Sequence, residues 1–283
     1  MNLPSFFIAG APKAGTDLLF YQLAQHPQIY MSPLKEPNYI ADEIRPHNFH
    51  ASLRPLIEND LARMRAYIDA GAPTNRFGGI VSSLGDYQRL FANARSHQAI
   101  GEGSVCYLWS KSASSRIART IPHARIILVL MDPAERAFHQ YLKSLSDETV
   151  SHSFSKHLEL AFRDRSGPES EIRHFNPFLA FGKYSEQVNR YLQSLPRSQL
   201  FISLYEDSQA DYDRWFGEVL SFLQVDTSFN PPDVDVPSKP HLPKGCRIPR
   251  LLSGDRVTLV DYYRADILHL QELISRDLSA WLR

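Results

Sequence analysis

The sequence predicts an α/β protein, a mainly parallel β-sheet flanked by helices on both faces. Three observations predict it. The chain opens on an apolar run, "FFIAG", which meets a Gly-Pro-Lys-Gly loop and then "TDLLFYQLAQ", with Leu18, Leu19, Leu23 and Ala24 at helical spacing. A second unit of the same kind follows in "ARIILVLMDPAERAFHQYLKSL". Further apolar runs alternate with helical segments, and strands joined through helices pair in parallel and are buried on both faces.

The elements are expected in this order. A strand at Phe6–Gly10 leads to a helix from about Thr16 to Gln25, and helices follow at Asp60–Ala70 and Asp86–Asn93. A short strand around Gln98–Ile100 precedes "GEGSVCYL", and a helix spans Ala113–Thr120. The next strand is Ile126–Leu130. Pro133 fits the first turn of the helix after it, where a missing N–H costs nothing. The helix "YSEQVNRYLQSL" leads to a strand at Leu200–Leu204, and helices at Tyr212–Leu223 and Arg256–Leu273 follow. Between about Ser146 and Pro177 periodicity is weak and His, Arg and Ser are frequent, which reads as a lid or insertion. The Pro-rich stretch Asn230–Gly245 leaves no room for regular structure. No internal repeat is visible, and residues 1–283 read as a single domain.

Composition narrows the function. A hydrophobic content of 43% suits an ordinary globular core. Thirty-one basic residues balance thirty-one acidic ones, so no overall field draws the chain to nucleic acid or an anionic membrane, and a long polyanionic acceptor is mildly disfavoured. Cys106 and Cys246 lie in no metal-ligand or redox spacing and read as reduced thiols. The apolar run Phe6–Ala11 is too short and interrupted for a signal peptide or a membrane span, so a cytoplasmic protein is expected. Eleven histidines form no His-Glu-x-x-His pattern, there is no Gly-x-Ser-x-Gly elbow, and the dispersed aromatics form no platform for single strands.

The loop "GAPKAGT" carries the first chemical signal. Between a strand and a helix N-terminus, backbone N–H groups have no helical partner and the dipole favours an anion. Gly15 allows close approach, Lys13 adds a positive charge, and Thr16 offers a hydroxyl and a helix cap. The loop lacks the Gly-Lys-Ser/Thr ending of the common nucleotide loop. It also places Asp17 in the first helical turn, where the dipole favours a carboxylate but a bound anion would be repelled.

"GAPKAGT", "HPQIYMSPLKEPNYIADE", "GEGSVCYL", a Pro-x-x-Arg helix start and "LYEDS", in this order, resemble the PAPS-dependent sulfotransferases, PAPS being 3′-phosphoadenosine 5′-phosphosulfate. Bacterial members akin to the heparan-sulfate-type enzymes are the nearest in pattern. The resemblance runs from Leu3 to the closing "YYRADILHLQELISRDLSAW". It implies a P-loop-like sheet fold and a metal-free transfer of a sulfo group from PAPS to a hydroxyl or amine, leaving 3′,5′-ADP. The acceptor would be a small molecule, a glycan or a lipid.

Carried over residue by residue, Lys13, Ala14, Gly15 and Thr16 would wrap the 5′-phosphosulfate, with Lys13 offsetting the charge that grows on the leaving oxygen. Glu36 of "LKEPNY" would be the general base. On local sequence alone, Lys35–Glu36 reads as a surface turn ahead of Pro37. Glu102 and Ser104 match a segment that runs from a strand end into the cleft, and Gly103 stands where some members have a lysine. Tyr205 lies in a loop matched to the adenine side, where a nucleobase contact and a core tyrosine are equally compatible. Lys244 and Gly245 resemble a Lys-Gly-Arg loop over the 3′-phosphate, with Cys246 in place of the arginine and Arg247 one position on.

The chain also departs from the pattern at the anionic ends of the donor. In the family's Arg-x-Pro-x-x-Arg-x-x-Ser, the first arginine and the serine grip the 3′-phosphate. Here Met131 and His139 stand in their places, while Pro133 and Arg136 keep the frame. Losing a charge-assisted contact costs about 1.5–3 kcal/mol. Asp17 replaces a frequent second threonine. Three readings follow: a PAPS enzyme in which Arg125, Arg136, Lys143, Lys244 or Arg247 compensates, an enzyme with another donor or reaction, and a non-catalytic ligand-binding protein. Retention of Lys13, Gly15, Thr16 and Glu36 favours catalysis.

Overall fold

The computed structural model describes residues 3–49, 53–94, 97–163, 178–234 and 248–283. It divides into two compact units, one of residues 1–130 and 190–236, the other of residues 131–189 and 237–283.

The first unit holds a five-stranded parallel sheet in the order β2-β5-β1-β6-β7. Its strands are β1 (Phe6–Gly10), β2 (Ile29–Met31), β5 (Ala99–Gly103), β6 (Arg125–Leu130) and β7 (Leu200–Leu204). Every residue of the central strand β1 is buried, which explains its unbroken apolar run: a strand covered on both faces has no polar side. Flanking helices include α1 (Thr16–Leu23), α2 (Arg54–Asp69), α3 (Leu84–Arg89), α4 (Cys106–Trp109) and α5 (Ala113–Thr120).

Parallel strands bring all their C-terminal ends to one edge, so the loops after β1 and β5 share that edge. The register pairs Phe6 with both Gly101 and Arg125, at the opposite end of β1 from the loop. Arg125 therefore lies at the start of β6, at the opposite end of the strand from the anion loop.

A smaller parallel pair joins β3 (Leu34–Lys35) to β4 (Arg76–Phe77), with Lys35 opposite Phe77. Two-residue strands leave no alternation to read, and neither was expected from sequence. Helix α2 starts at Arg54, ahead of the expected Asp60, because Pro55 opens it. Helix α3 starts at Leu84, where the Ser83 hydroxyl accepts from the Asp86 N–H at 3.1 Å.

In the second unit, α6 (Pro133–Ser146) begins at Asp132, whose carboxylate accepts from the Ala134 N–H at 2.8 Å. Arg256, on the long helix Ser253–Ile274, reaches Asp132 at 2.6 Å and Glu135 at 3.1 Å. Asp266 of the same helix accepts from the Tyr184 N–H at 2.7 Å and the Ser185 hydroxyl at 2.5 Å. Of the expected lid, residues 154–163 form α7 (Phe154–Arg163), and residues 164–177 lie outside the described residues.

Candidate active site

The loop after β1 curls through two left-handed residues, Lys13 at φ 71° and Gly15 at φ 77°. Such turns point successive N–H groups toward one concave side, which suits an anion. Gly15 is the N-cap of α1, and no side chain caps that helix. The expectation that Thr16 caps α1 is corrected: Thr16 is its first helical residue, because the left-handed glycine takes the cap position. Ala14, 1% exposed, donates its N–H to the Ala11 carbonyl at 3.2 Å and closes the turn.

Tyr205 covers this loop. Its ring carbons lie 3.1 and 3.2 Å from where a Cβ on residue 15 would stand, so only glycine fits without displacing the ring. Tyr205 opens a helix, Tyr205–Ala210, instead of lying in a loop as expected, because Asp207 accepts from the Leu204 N–H at 3.0 Å and caps the turn.

The second part of the site is carried by the segment after β3. Glu36 has φ 62° and Asn38 φ 57°. Among the described residues, the other non-glycine left-handed positions, Ala72, Glu148, Gln224 and Ser275, all follow helix ends. Lys13, Glu36 and Asn38 do not. Such a backbone costs on the order of 1 kcal/mol and persists only where the surroundings fix it.

The contacts that fix it run into β5. The Glu36 N–H donates to the Gly103 carbonyl at 2.8 Å. The Asn38 side-chain amide donates to the Glu36 carbonyl at 2.9 Å and to the Gly79 carbonyl at 3.0 Å, and its oxygen accepts from the Cys106 thiol at 3.0 Å. The Asn38 N–H donates to the Ser104 hydroxyl at 3.2 Å, and Ser104 in turn donates to Glu102 at 2.6 Å. Tyr87 and Tyr107 donate to the other Glu102 oxygen at 2.7 and 2.9 Å. Glu102 is wholly buried, and burial pushes its carboxyl up to about 7 against the pull of these hydroxyls. Through Ser104 and Asn38 it is a buried support for the Glu36 segment.

Lys35 is the residue that sequence reasoning missed. Instead of a surface turn, it is 1% exposed, with Nζ 2.6 Å from Asp17 and 3.0 Å from Glu36. The ammonium lies 4.8 Å from the Phe77 ring centre and 5.9 Å from that of Phe20. Burial pulls its pKa down, but the charges of Glu36 and Asp17 and the hydrogen bonds to them outweigh burial and hold it above its ordinary value. Through Lys35, Glu36 is tied to the first turn of α1.

A sequence model of the sulfotransferase family matches residues 4–229, most of the chain. The chain belongs to the sulfotransferase family. It is 26% identical over 304 residues to the bifunctional heparan sulfate N-deacetylase/N-sulfotransferase 4 of Mus musculus, a match covering 100% of this chain and 31% of that protein. It is 21% identical over 320 residues to carbohydrate sulfotransferase 15 of Homo sapiens, covering 99% of this chain and 54% of that one. The chain thus spans about a third of the length of the first of these relatives. A crystal structure of a sulfotransferase from Alicyclobacillus acidocaldarius superposes over 100% of both chains with TM-score 0.76 and 30% identity.

The residues matched to the 3′-phosphate motif belong to the second unit. Met131 is buried, at 4% exposure, and His139 is half-buried on α6. Arg136 is fully buried, its guanidinium hydrogen-bonded to the Gln140 side chain and the Phe178 carbonyl. Lys143 pairs with Asp147. Lys244, Gly245, Cys246 and Arg247 lie outside the described residues. Among the described residues no helix is long and apolar enough to cross a membrane, and no group of His, Cys, Asp or Glu is placed to hold a metal.

Proposed function

We propose that this sulfotransferase moves a sulfo group from PAPS to a hydroxyl or amine, with Glu36 as general base and Lys13 as the charge opposite the leaving oxygen. The observation that carries this reading is the bridge through Lys35, which sets Glu36 beside the first turn of α1, where Lys13, Gly15 and the uncapped helix form a cradle for an anion.

The residues suit the 5′ end of the donor: a left-handed glycine packed close against the Tyr205 ring, a helix N-terminus with no side-chain cap, and a lysine. When bound, PAPS supplies the sulfo group and a phosphate leaving group. As the new bond from acceptor to sulfur forms and the bond from sulfur to the leaving oxygen breaks, Glu36 takes the acceptor's proton on its carboxylate. Lys13 offsets the negative charge on the departing side, a type of contribution worth about 10²–10³ in rate. Tyr205 packs its ring against the loop at Gly15.

Relatives named for heparan sulfate N-sulfotransfer and carbohydrate sulfotransfer support a sugar amine or hydroxyl as acceptor. The balanced net charge supports a small, glycan or lipid acceptor over a long polyanion. Phe77, 56% exposed beside Lys35, offers an apolar face for such a molecule.

The test is transfer from labelled PAPS to a panel of amino-oligosaccharides and hydroxylated lipids. Label should reach an acceptor with matching release of 3′,5′-ADP, and Glu36→Gln should lower turnover about 10²–10⁴-fold while 3′,5′-ADP binds within a few-fold of wild type. Turnover near wild type in that variant would remove Glu36 as the base. Absence of both transfer and 3′,5′-ADP release would count against the reading itself. A second reading, a donor lacking the 3′-phosphate, is favoured by Met131 and by the inward engagement of Arg136.

A further inference from the structure

We propose that Lys35 is a positioning residue that holds Glu36 against α1 and cancels the charge of Asp17, so that the loop can accept an anion beside a carboxylate. This rests on the reading of Glu36 and the Lys13–Thr16 loop given above.

Asp17 lies in the first turn of α1, the same turn whose N–H groups would face the anion. At such range, in a partly buried setting, a bare carboxylate would oppose anion binding. Lys35 reaches that carboxylate at 2.6 Å from inside the protein, at 1% exposure, whereas Asp17 and Glu36 are 23% and 18% exposed. The cation is thus internal, and both carboxylates are presented from it toward the more open side.

Two carboxylates around one ammonium also suit a base that changes charge. While Glu36 is ionised, Lys35 is shared between it and Asp17. Once Glu36 has taken the acceptor's proton, Asp17 still neutralises the buried ammonium, which never stands alone in a place where an unpaired charge is costly. Asp17 in the first helical turn, unexplained by the family pattern, thereby gains a role. The position of Lys35 is itself fixed by non-local packing: β3 pairs with β4, and the ammonium lies against Phe77 and Phe20.

The test measures anion affinity by calorimetry, using 3′,5′-ADP and inorganic pyrophosphate as probes, in wild type, Lys35→Met, Asp17→Asn and the double variant. Lys35→Met should weaken binding at least about tenfold because Asp17 is laid bare, while Asp17→Asn alone should tighten it. The double variant should recover to within about threefold of wild type, which a merely structural role for Lys35 would not produce. Unchanged affinity in Lys35→Met, or no recovery in the double variant, would overturn the proposal. If wild type binds pyrophosphate but not 3′,5′-ADP, the PAPS reading fails and the role of Lys35 is read from pyrophosphate. If wild type binds neither, both are overturned.

Discussion

Gly15 meets two constraints at once. It adopts φ 77°, and it leaves room for the Tyr205 ring, 3.1 Å from the missing Cβ. An alanine there incurs the left-handed penalty, on the order of 1 kcal/mol, and must also push the ring aside. Gly15→Ala should therefore melt earlier than wild type and bind 3′,5′-ADP at least about tenfold more weakly. A melting temperature and affinity equal to those of wild type would show that neither constraint operates. The loop itself could be read from "GAPKAGT", since its strand, glycine and lysine are consecutive. Lys35 could not. Its neighbours in sequence, Glu36 and Pro37, read as a surface turn, and the partners that bury it, Asp17, Phe20 and Phe77, come from elsewhere in the chain.

Among the elements, long strands announced themselves and short ones did not. β6 and β7 carry enough apolar residues to be read directly, and α5 spans Ala113–Thr120 as its pattern predicts. β3 and β4 are two residues each, held by register and by the Asn38 hydrogen bonds, none of which leaves a periodic trace. β5 carries Glu102, one residue before its end, a match to the family pattern whose role emerges only from its partners. It is a buried carboxyl supporting the Glu36 segment through Ser104 and Asn38. Its folded pKa, raised from 4.5 to about 7, makes a stability prediction. The folded state binds the proton more tightly than the unfolded one, so this group costs nothing below about pH 4.5, and its cost grows as pH rises to about 7. The full cost is on the order of 3 kcal/mol. Unfolding measured across about pH 4 to 8 should show wild type losing stability relative to Glu102→Gln within that window. Parallel curves would mean that folding leaves the Glu102 pKa unshifted.

At the level of the whole molecule, the parallel sheet and the family follow from motifs spread from Leu3 onward, and the match over residues 4–229 agrees with them. The loop matched to the 5′ end of a PAPS site was legible as strand, loop and helix because its residues are contiguous. The 3′ half was not. Arg136 kept its place in the motif, but its two terminal nitrogens bond to Gln140 and Phe178 inside the fold, and a residue count cannot tell an inward arginine from an outward one. The account's central claim, that this sulfotransferase is built for PAPS, is tested most directly by calorimetric titration with 3′,5′-ADP beside 5′-AMP. It predicts micromolar binding of 3′,5′-ADP with a preference of at least about tenfold over 5′-AMP, the value of one charge-assisted contact to the 3′-phosphate. Equal affinity for the two, or none for either, would contradict it.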